Sequence, residues 1–231
     1  MKVKSKRLVV WGDSLAKGVI YDSSRDRHVF LPETGVNIIS KILGIEIINK
    51  AKYGLTVTKG FEIIKRDLDS NINCDSALIE FGGNDCDFNW EEVSSNPNKS
   101  HIPNTPIETF KEYIIKIIDL LKQNCIRPIL TTLPPIDDDK YFDFITRKGL
   151  SRDNILTWLG DKHQIYRHQE LYSNQIPFLA KKMGCDLIDY RTIFLSQRNY
   201  KDYLCEDGIH PNKDGQKLIG TSIIQVLENE A

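Results

Sequence analysis

No apolar run in this chain approaches the ~18 uninterrupted residues of a membrane helix. The basic opening MKVKSKR is followed only by Leu8 to Trp11, shorter than the ~7–15 apolar residues of an export signal. The expectation is therefore a cytoplasmic chain without a membrane span. A charge surplus is missing too: 31 Lys and Arg against 32 Asp and Glu leave a formal charge of −1, so nothing points to nucleic acid or an anionic membrane as partner. The five cysteines (Cys74, Cys86, Cys125, Cys185 and Cys205) are odd in number and form no C-x-x-C pair. That argues against a disulfide framework or a zinc knuckle and for reduced, packed thiols. No internal repeat, low-complexity tract or linker divides the chain, which reads as one domain over residues 1–231.

What is present is a core-forming composition, 40% hydrophobic over 231 residues, arranged in alternating patterns. Strand-like runs occur at LVVW (8–11), IEIIN (45–49), ALIEF (77–81), PILTTL (128–133) and CDLID (185–189). Helical periodicity falls between them at about 33–43, 57–69, 107–123 and 164–183, and again at 213–229. This alternation predicts a parallel sheet covered by helices on both faces. Ile107, Phe110, Ile114, Ile117 and Leu121 mark the buried stripe of one helix, and Thr105, Pro106 and Glu108 predict a capping box at its start. The last helix is expected to start from Asn212 as cap, with Leu218, Ile219, Ile223 and Val226 on one side. Two stretches exceed a minimal strand–helix alternation, 86–106 and 134–161. Loops of that length are uncommon unless functional. The second carries Tyr141, Phe142, Phe144 and Trp158, so both are expected to pack as helical or loop insertions over one edge of the sheet.

Four short blocks can carry chemistry, and each also has an ordinary structural explanation. Gly12-Asp13-Ser14 ends the first strand, at the rim where open parallel sheets bind ligands, yet the same residues suit a turn or helix cap. Gly54 follows the second strand; glycine admits a close backbone approach but is also the default turn residue. Gly82-Gly83-Asn84-Asp85 follows the third strand and presents an uncharged amide donor of the kind an oxyanion needs. Asp207 and His210 stand three residues apart before the last helix, a spacing that lets a carboxylate fix the imidazole tautomer and leave Nε2 free to take a proton. The other histidines, His28, His101, His163 and His168, show no comparable companion in the sequence.

Taken in order, these blocks give the chain a resemblance to the SGNH hydrolase superfamily, the G-D-S-L esterases and lipases. GDSLAKG, Gly54, GGND and DGIHP correspond to its successive blocks and span Gly12 to Pro211. The resemblance implies a three-layer α/β/α, flavodoxin-like fold with five parallel strands. It implies Ser14 as nucleophile, His210 as base and Asp207 as its orienter, with an oxyanion hole from the Ser14 and Gly54 N–H groups and the Asn84 amide. Gly12, Asp13, Gly82, Gly83 and Asp85 would support these motifs.

On that reading His210 removes the Ser14 proton during attack on an ester carbonyl, and water later resolves the acyl-enzyme. Neither a metal nor an organic cofactor is called for, and the partner is a small-molecule ester. Acetyl or another short acyl group, on a carbohydrate, is the first substrate expectation; lysophospholipid or thioester cleavage by the same mechanism is the second. Two other classes stay open at this level. Asp13, Asn84, Asp85, Asp207 and His210 include ligand types for the cation of a metal-dependent phosphoesterase, although no second histidine clusters with them in the sequence. A non-catalytic binding module on the same sheet is the other.

Overall fold

The computed structural model describes residues 7–32 and 34–228. The basic opening 1–6, Glu33 at the head of the expected 33–43 helix, residues 229–231 and the side chain of Val226 lie outside the described residues. In chain order the elements are β1 (Arg7–Gly12), α1 (Ser14–Lys17), β2 (Val19–Asp22), β3 (Arg27–Phe30), α2 (Gly35–Leu43), β4 (Glu46–Asn49), α3 (Val57–Asp69), β5 (Ser76–Glu80), α4 (Trp90–Ser95), α5 (Ile107–Gln123), β6 (Arg127–Thr131), α6 (Asp138–Thr146), α7 (Arg152–Leu159), α8 (Gln164–Met183), β7 (Asp186–Ile188), α9 (Tyr190–Leu195) and α10 (Lys213–Glu228).

Five strands pair in parallel in the order β4-β1-β5-β6-β7. This is the flavodoxin-like arrangement, in which the chain reverses its direction of growth beside the first strand and opens a crevice at the strands' C-terminal ends. Because successive side chains of a strand leave on opposite faces, β1 feeds two cores. Val9 and Trp11 join Ile79, Val57, Ile64, Phe110, Ile117 and Tyr172 under α3, α5 and α8. Leu8 and Val10 join Leu78, Ile129, Ile39, Phe194, Ile219 and Ile223 under α2, α9 and α10. A strand buried on both sides has to be continuously apolar, which is why LVVW shows no alternation.

Two local expectations come out differently. Residues 19–30 form an antiparallel hairpin, β2–β3, outside the main sheet; the strand pattern above does not include it. The Thr105–Glu108 capping box is not formed: α5 begins after Pro106 with no side-chain cap, because the Thr105 hydroxyl is drawn to the buried Asp85 carboxyl instead. Asn212 does cap α10, its Oδ1 accepting from the N–H groups of Asp214 and Gly215 at 3.0 and 3.1 Å.

Neither long insertion is structureless. Segment 86–106 contains α4 and segment 134–161 contains α6 and α7. Trp90, Val93, Ile136, Tyr141, Phe142, Ile155 and Ile165 bury one another in a third apolar cluster. Polar contacts also join the two insertions: Ser94 Oγ accepts from Ser151 N at 2.8 Å and Ser94 O from Asn154 Nδ2 at 2.7 Å. This helical lobe stands over the C-terminal ends of β1, β5 and β6, beside the turns that carry the sequence motifs.

Candidate active site

The chain leaves β1 through Gly12, where any side chain would meet the β5 backbone: an added Cβ would lie 2.8 Å from Glu80 O. Asp13 then caps the short α1, its Oδ1 accepting from Leu15 N at 2.9 Å. Both explanations of Gly-Asp-Ser are thus realised in one turn. Asp13 is the helix cap, and Ser14, the first helical residue, carries its hydroxyl to the rim.

His210 arrives from the loop before α10, and its Nε2 lies 2.9 Å from Ser14 Oγ across 196 residues of chain. Its Nδ1 lies 2.6 Å from Asp207 Oδ2. Asp207 Oδ1 accepts from the backbone N–H groups of Ile209 and His210 at 3.2 and 3.1 Å. Asp207 is fully buried. Burial pushes its carboxyl up, but hydrogen bonds from His210 and His28 outweigh that and hold it well below the usual carboxylate range. It is therefore an anion throughout the neutral range, as an imidazole partner requires.

His28, which shows no companion in the sequence, has a carboxylate companion in the fold. Its Nε2 lies 3.0 Å from the same Asp207 Oδ2, and its ring meets that of His210 edge-on with centroids 4.8 Å apart. His163 Nδ1 likewise lies 2.6 Å from Asp138 Oδ2. No spacing rule could reveal the His28 contact, since 179 residues separate the partners. The available signal was local: VIYD and RHVF, separated by the polar SSRD, read as a hairpin whose second strand carries His28.

The two middle blocks are tied together. Gly54 lies in the turn before α3 with φ +70, a left-handed conformation that favours glycine. Asn84 Nδ2 donates to Asp13 Oδ2 at 2.9 Å and, through a longer bond of 3.3 Å, to Leu55 O beside that turn. Its amide is therefore oriented, with one proton firmly placed and the other weakly held. Asp85 does different work. Both its oxygens accept from Val57 N, at 3.0 and 3.1 Å, so a carboxyl from the β5 turn caps α3. Burial raises this carboxyl from 3.8 to about 7.

Beneath Ser14 lies a buried carboxyl pair that the motifs did not announce. Glu80 Oε2 accepts from the N–H groups of Asp13 and Ala16, each at 3.3 Å. Burial, followed by the charge of Asp13, pushes the Glu80 carboxyl well up. Burial raises Asp13 as well, against hydrogen bonds from Leu15, Glu80 and Asn84. Two adjacent buried carboxyls cannot both ionise cheaply, and Glu80 keeps the proton.

Ser14, Asp13, Gly83, Asn84 and His210 line a cavity of about 550 Å³, and its far wall is aromatic, with Phe88, Trp90, Tyr141, Phe144 and Trp158 from the two insertions. Gly12, Gly82, Asp85 and Asp207 are buried and do not line it, and Gly54 lies exposed in its turn outside the lining. Among the described residues, two groups bring three ligand-type side chains together: His28, Asp207 and His210, and Asp137, Asp138 and Asp139. In the first, both imidazoles already hydrogen-bond the one carboxylate oxygen. The wider set considered for a phosphoesterase cation is occupied similarly, with Asp13 and Asp85 capping helices and Asn84 bonded to Asp13. No helix of the described residues is long and apolar enough to cross a membrane.

Comparison with known proteins finds the same fold and a family. The Arabidopsis thaliana GDSL esterase/lipase CPRD49 is 23% identical over 188 residues, covering 79% of this chain and 66%, just under two thirds, of that protein. A lipase/acylhydrolase from Enterococcus faecalis superposes with a TM-score of 0.67 at 18% identity, covering 97% of this chain and 96% of the other. Axe2, an acetyl-xylooligosaccharide esterase from Geobacillus Stearmophilus, superposes in a mutant form with a TM-score of 0.67 at 17% identity, covering 98% and 96%. The GDSL-like lipase/acylhydrolase family model matches residues 10–218, from the strand that delivers Ser14 into the helix that follows His210, and the chain belongs to that family.

Proposed function

We propose that the protein is a serine hydrolase that cleaves carboxylic esters through an acyl-enzyme on Ser14. The observation that carries this reading is the continuous line from Ser14 Oγ to His210 Nε2 at 2.9 Å and from His210 Nδ1 to Asp207 Oδ2 at 2.6 Å. A serine hydroxyl is a weak nucleophile unless a base takes its proton as it attacks. His210 takes it, and the buried Asp207 anion stabilises the imidazolium without becoming protonated. The tetrahedral oxyanion is met by the N–H groups of Ser14 and Gly54 and by the Asn84 proton now lent weakly to Leu55 O. Collapse expels the alcohol with the proton returned by His210, and water repeats the cycle.

The substrate class we favour is an acetyl or other short acyl ester of a carbohydrate. Aromatic walls pack against the C–H faces of sugar rings, and this cavity pairs them with a buried polar atom suited to a hydroxyl. His168 lines it with an Nε2 that is buried without a hydrogen-bond partner, whereas Gln169 and Asp87, which also line it, are held by Pro134 and Arg191 and by Trp90 and Tyr141. A purely acyl-binding channel has no use for an unpartnered imidazole nitrogen in its wall. The acetyl-xylooligosaccharide esterase among the structural neighbours is consistent with this choice.

The test has two arms. A fluorophosphonate should add one adduct that maps to Ser14, and Ser14→Ala should lose both labelling and turnover, while dialysis against a chelator leaves turnover intact. Full esterase activity in Ser14→Ala, or metal-rescued hydrolysis of phosphate esters by that variant, would overturn the mechanism. A panel of acetylated sugars and p-nitrophenyl esters of increasing chain length addresses the substrate, and preference for long acyl chains would overturn the carbohydrate-ester choice.

A further inference from the structure

The hairpin histidine His28 is placed to act on the same carboxylate as the base, and its hydrogen bonding leaves one consistent arrangement. Asp207 Oδ1 is occupied by two backbone N–H groups, and Oδ2 faces His210 Nδ1 at 2.6 Å and His28 Nε2 at 3.0 Å. A carboxylate only accepts, so both imidazoles donate to it. On the far side of the His28 ring, Tyr53 Oη lies 3.3 Å from Nδ1. Burial and the Asp207 charge raise the Tyr53 phenol, which keeps its proton and donates it to Nδ1. The chain then runs from Tyr53 O–H to His28 Nδ1, from His28 Nε2–H to Asp207 Oδ2, and from His210 Nδ1–H to the same oxygen.

Resting on the reading of Ser14, Asp207 and His210 given above, we infer that His28 is a positioning residue that shares the Asp207 carboxylate with His210 and thereby keeps the base unprotonated to lower pH. A second donor on Oδ2 withdraws electron density from the oxygen that stabilises the His210 imidazolium. When His28 itself takes up a proton, the effect grows, because a second cation then faces the same carboxylate beside His210. Both states of His28 disfavour protonation of His210, so the direction does not depend on which is populated. The remaining groups around His28 do not replace it. Tyr21 and Phe144 meet its ring at 5.4 and 6.0 Å between centroids. The nearby cation, Arg147, stacks on Phe144 and pairs with Asp26, which also accepts from Tyr21 and lies near Lys148. None of these hydrogen-bonds Asp207.

His28→Phe removes the donor and keeps a ring for the contacts with Tyr21, Phe144 and His210. Its acid limb in the pH–rate profile should move to higher pH by about one pH unit, with plateau kcat reduced by about threefold to tenfold and KM little changed. His28→Gln, whose amide can reach where Nε2 stands, should return the limb toward wild type. A role in holding the hairpin alone would lower the plateau and leave the limb in place, and that result overturns the inference, as does a Gln variant as displaced as Phe. Nitrogen-15 histidine spectra of the wild-type protein read the tautomer directly, independent of how either variant folds: His28 should be protonated on Nε2 at neutral pH, and protonation on Nδ1 alone would refute the arrangement. Loss of turnover in Ser14→Ala is measured separately, so failure of the serine-hydrolase reading is distinguishable from failure of the His28 inference.

Discussion

Replacing Asp85 with asparagine should make the protein relatively more stable as pH rises. The carboxyl sits fully buried between the β5 turn and the N-terminus of α3, with Val57 N–H bonded to both oxygens. Desolvation dominates those bonds and raises it from 3.8 to about 7. An acid whose folded-state proton affinity exceeds its unfolded one stabilises most below the unfolded value, and it loses that contribution as pH climbs through the folded value. The window therefore runs from about pH 4 to about pH 7, and the full loss is about 4 kcal/mol at ~1.36 kcal/mol per tenfold in affinity. Roughly 3 kcal/mol of it falls between about pH 5 and pH 8, because at pH 5 the unfolded carboxyl is already mostly ionised. Asparagine keeps the shape but cannot ionise. It carries a pH-independent offset from placing an amide where Val57 N–H found an oxygen. The informative quantity is thus the change with pH of the difference between variant and wild type, in which carboxyls that do not act on Asp85 cancel; the charge of Asp13, which helps raise Asp85, is part of what is read. Urea denaturation of both proteins at pH 5 and pH 8 measures it; in thermal melts the same change is roughly 6–12 °C of relative Tm for a chain of this size. A difference independent of pH would show that Asp85 is ionised in the folded protein at pH 5 and that its bonds, and not burial, govern it.

Asn84→Ala should lower kcat by roughly 10²–10³-fold with little change in KM, the loss expected for one donor that strengthens its bond only as the oxyanion forms; a large KM effect with kcat intact would make Asn84 a ground-state binding residue instead. His210→Ala should remove nearly all turnover, and adding Asp207→Asn to it should cost little more, since groups that act as a unit are not additive. Multiplying losses in that double variant would count against the shared line through His210 Nδ1.

The alternating apolar runs by themselves determined the layered fold. LVVW had to be covered on both faces, and the helices at 57–69, 107–123 and 164–183 stand where the periodic stripes place them. Local chemistry was legible for the same reason wherever partners are neighbours in sequence. Asp207 and His210 are three residues apart, and Asp13 caps the turn it belongs to. Tertiary structure decided the contacts that join distant segments, because a hydrogen bond across 179 residues leaves no trace in periodicity or spacing. His28 therefore looked unaccompanied until the hairpin folded it against Asp207. Thr105 looked like a helix cap until the buried Asp85 competed for its hydroxyl. The insertions read only as helical or loop segments over the sheet edge because their apolar residues find their partners mostly in each other. Once Trp90, Val93, Phe142 and Ile155 are buried together, the backbone of both segments can form helices, and the wall they make gives the cavity its aromatic face.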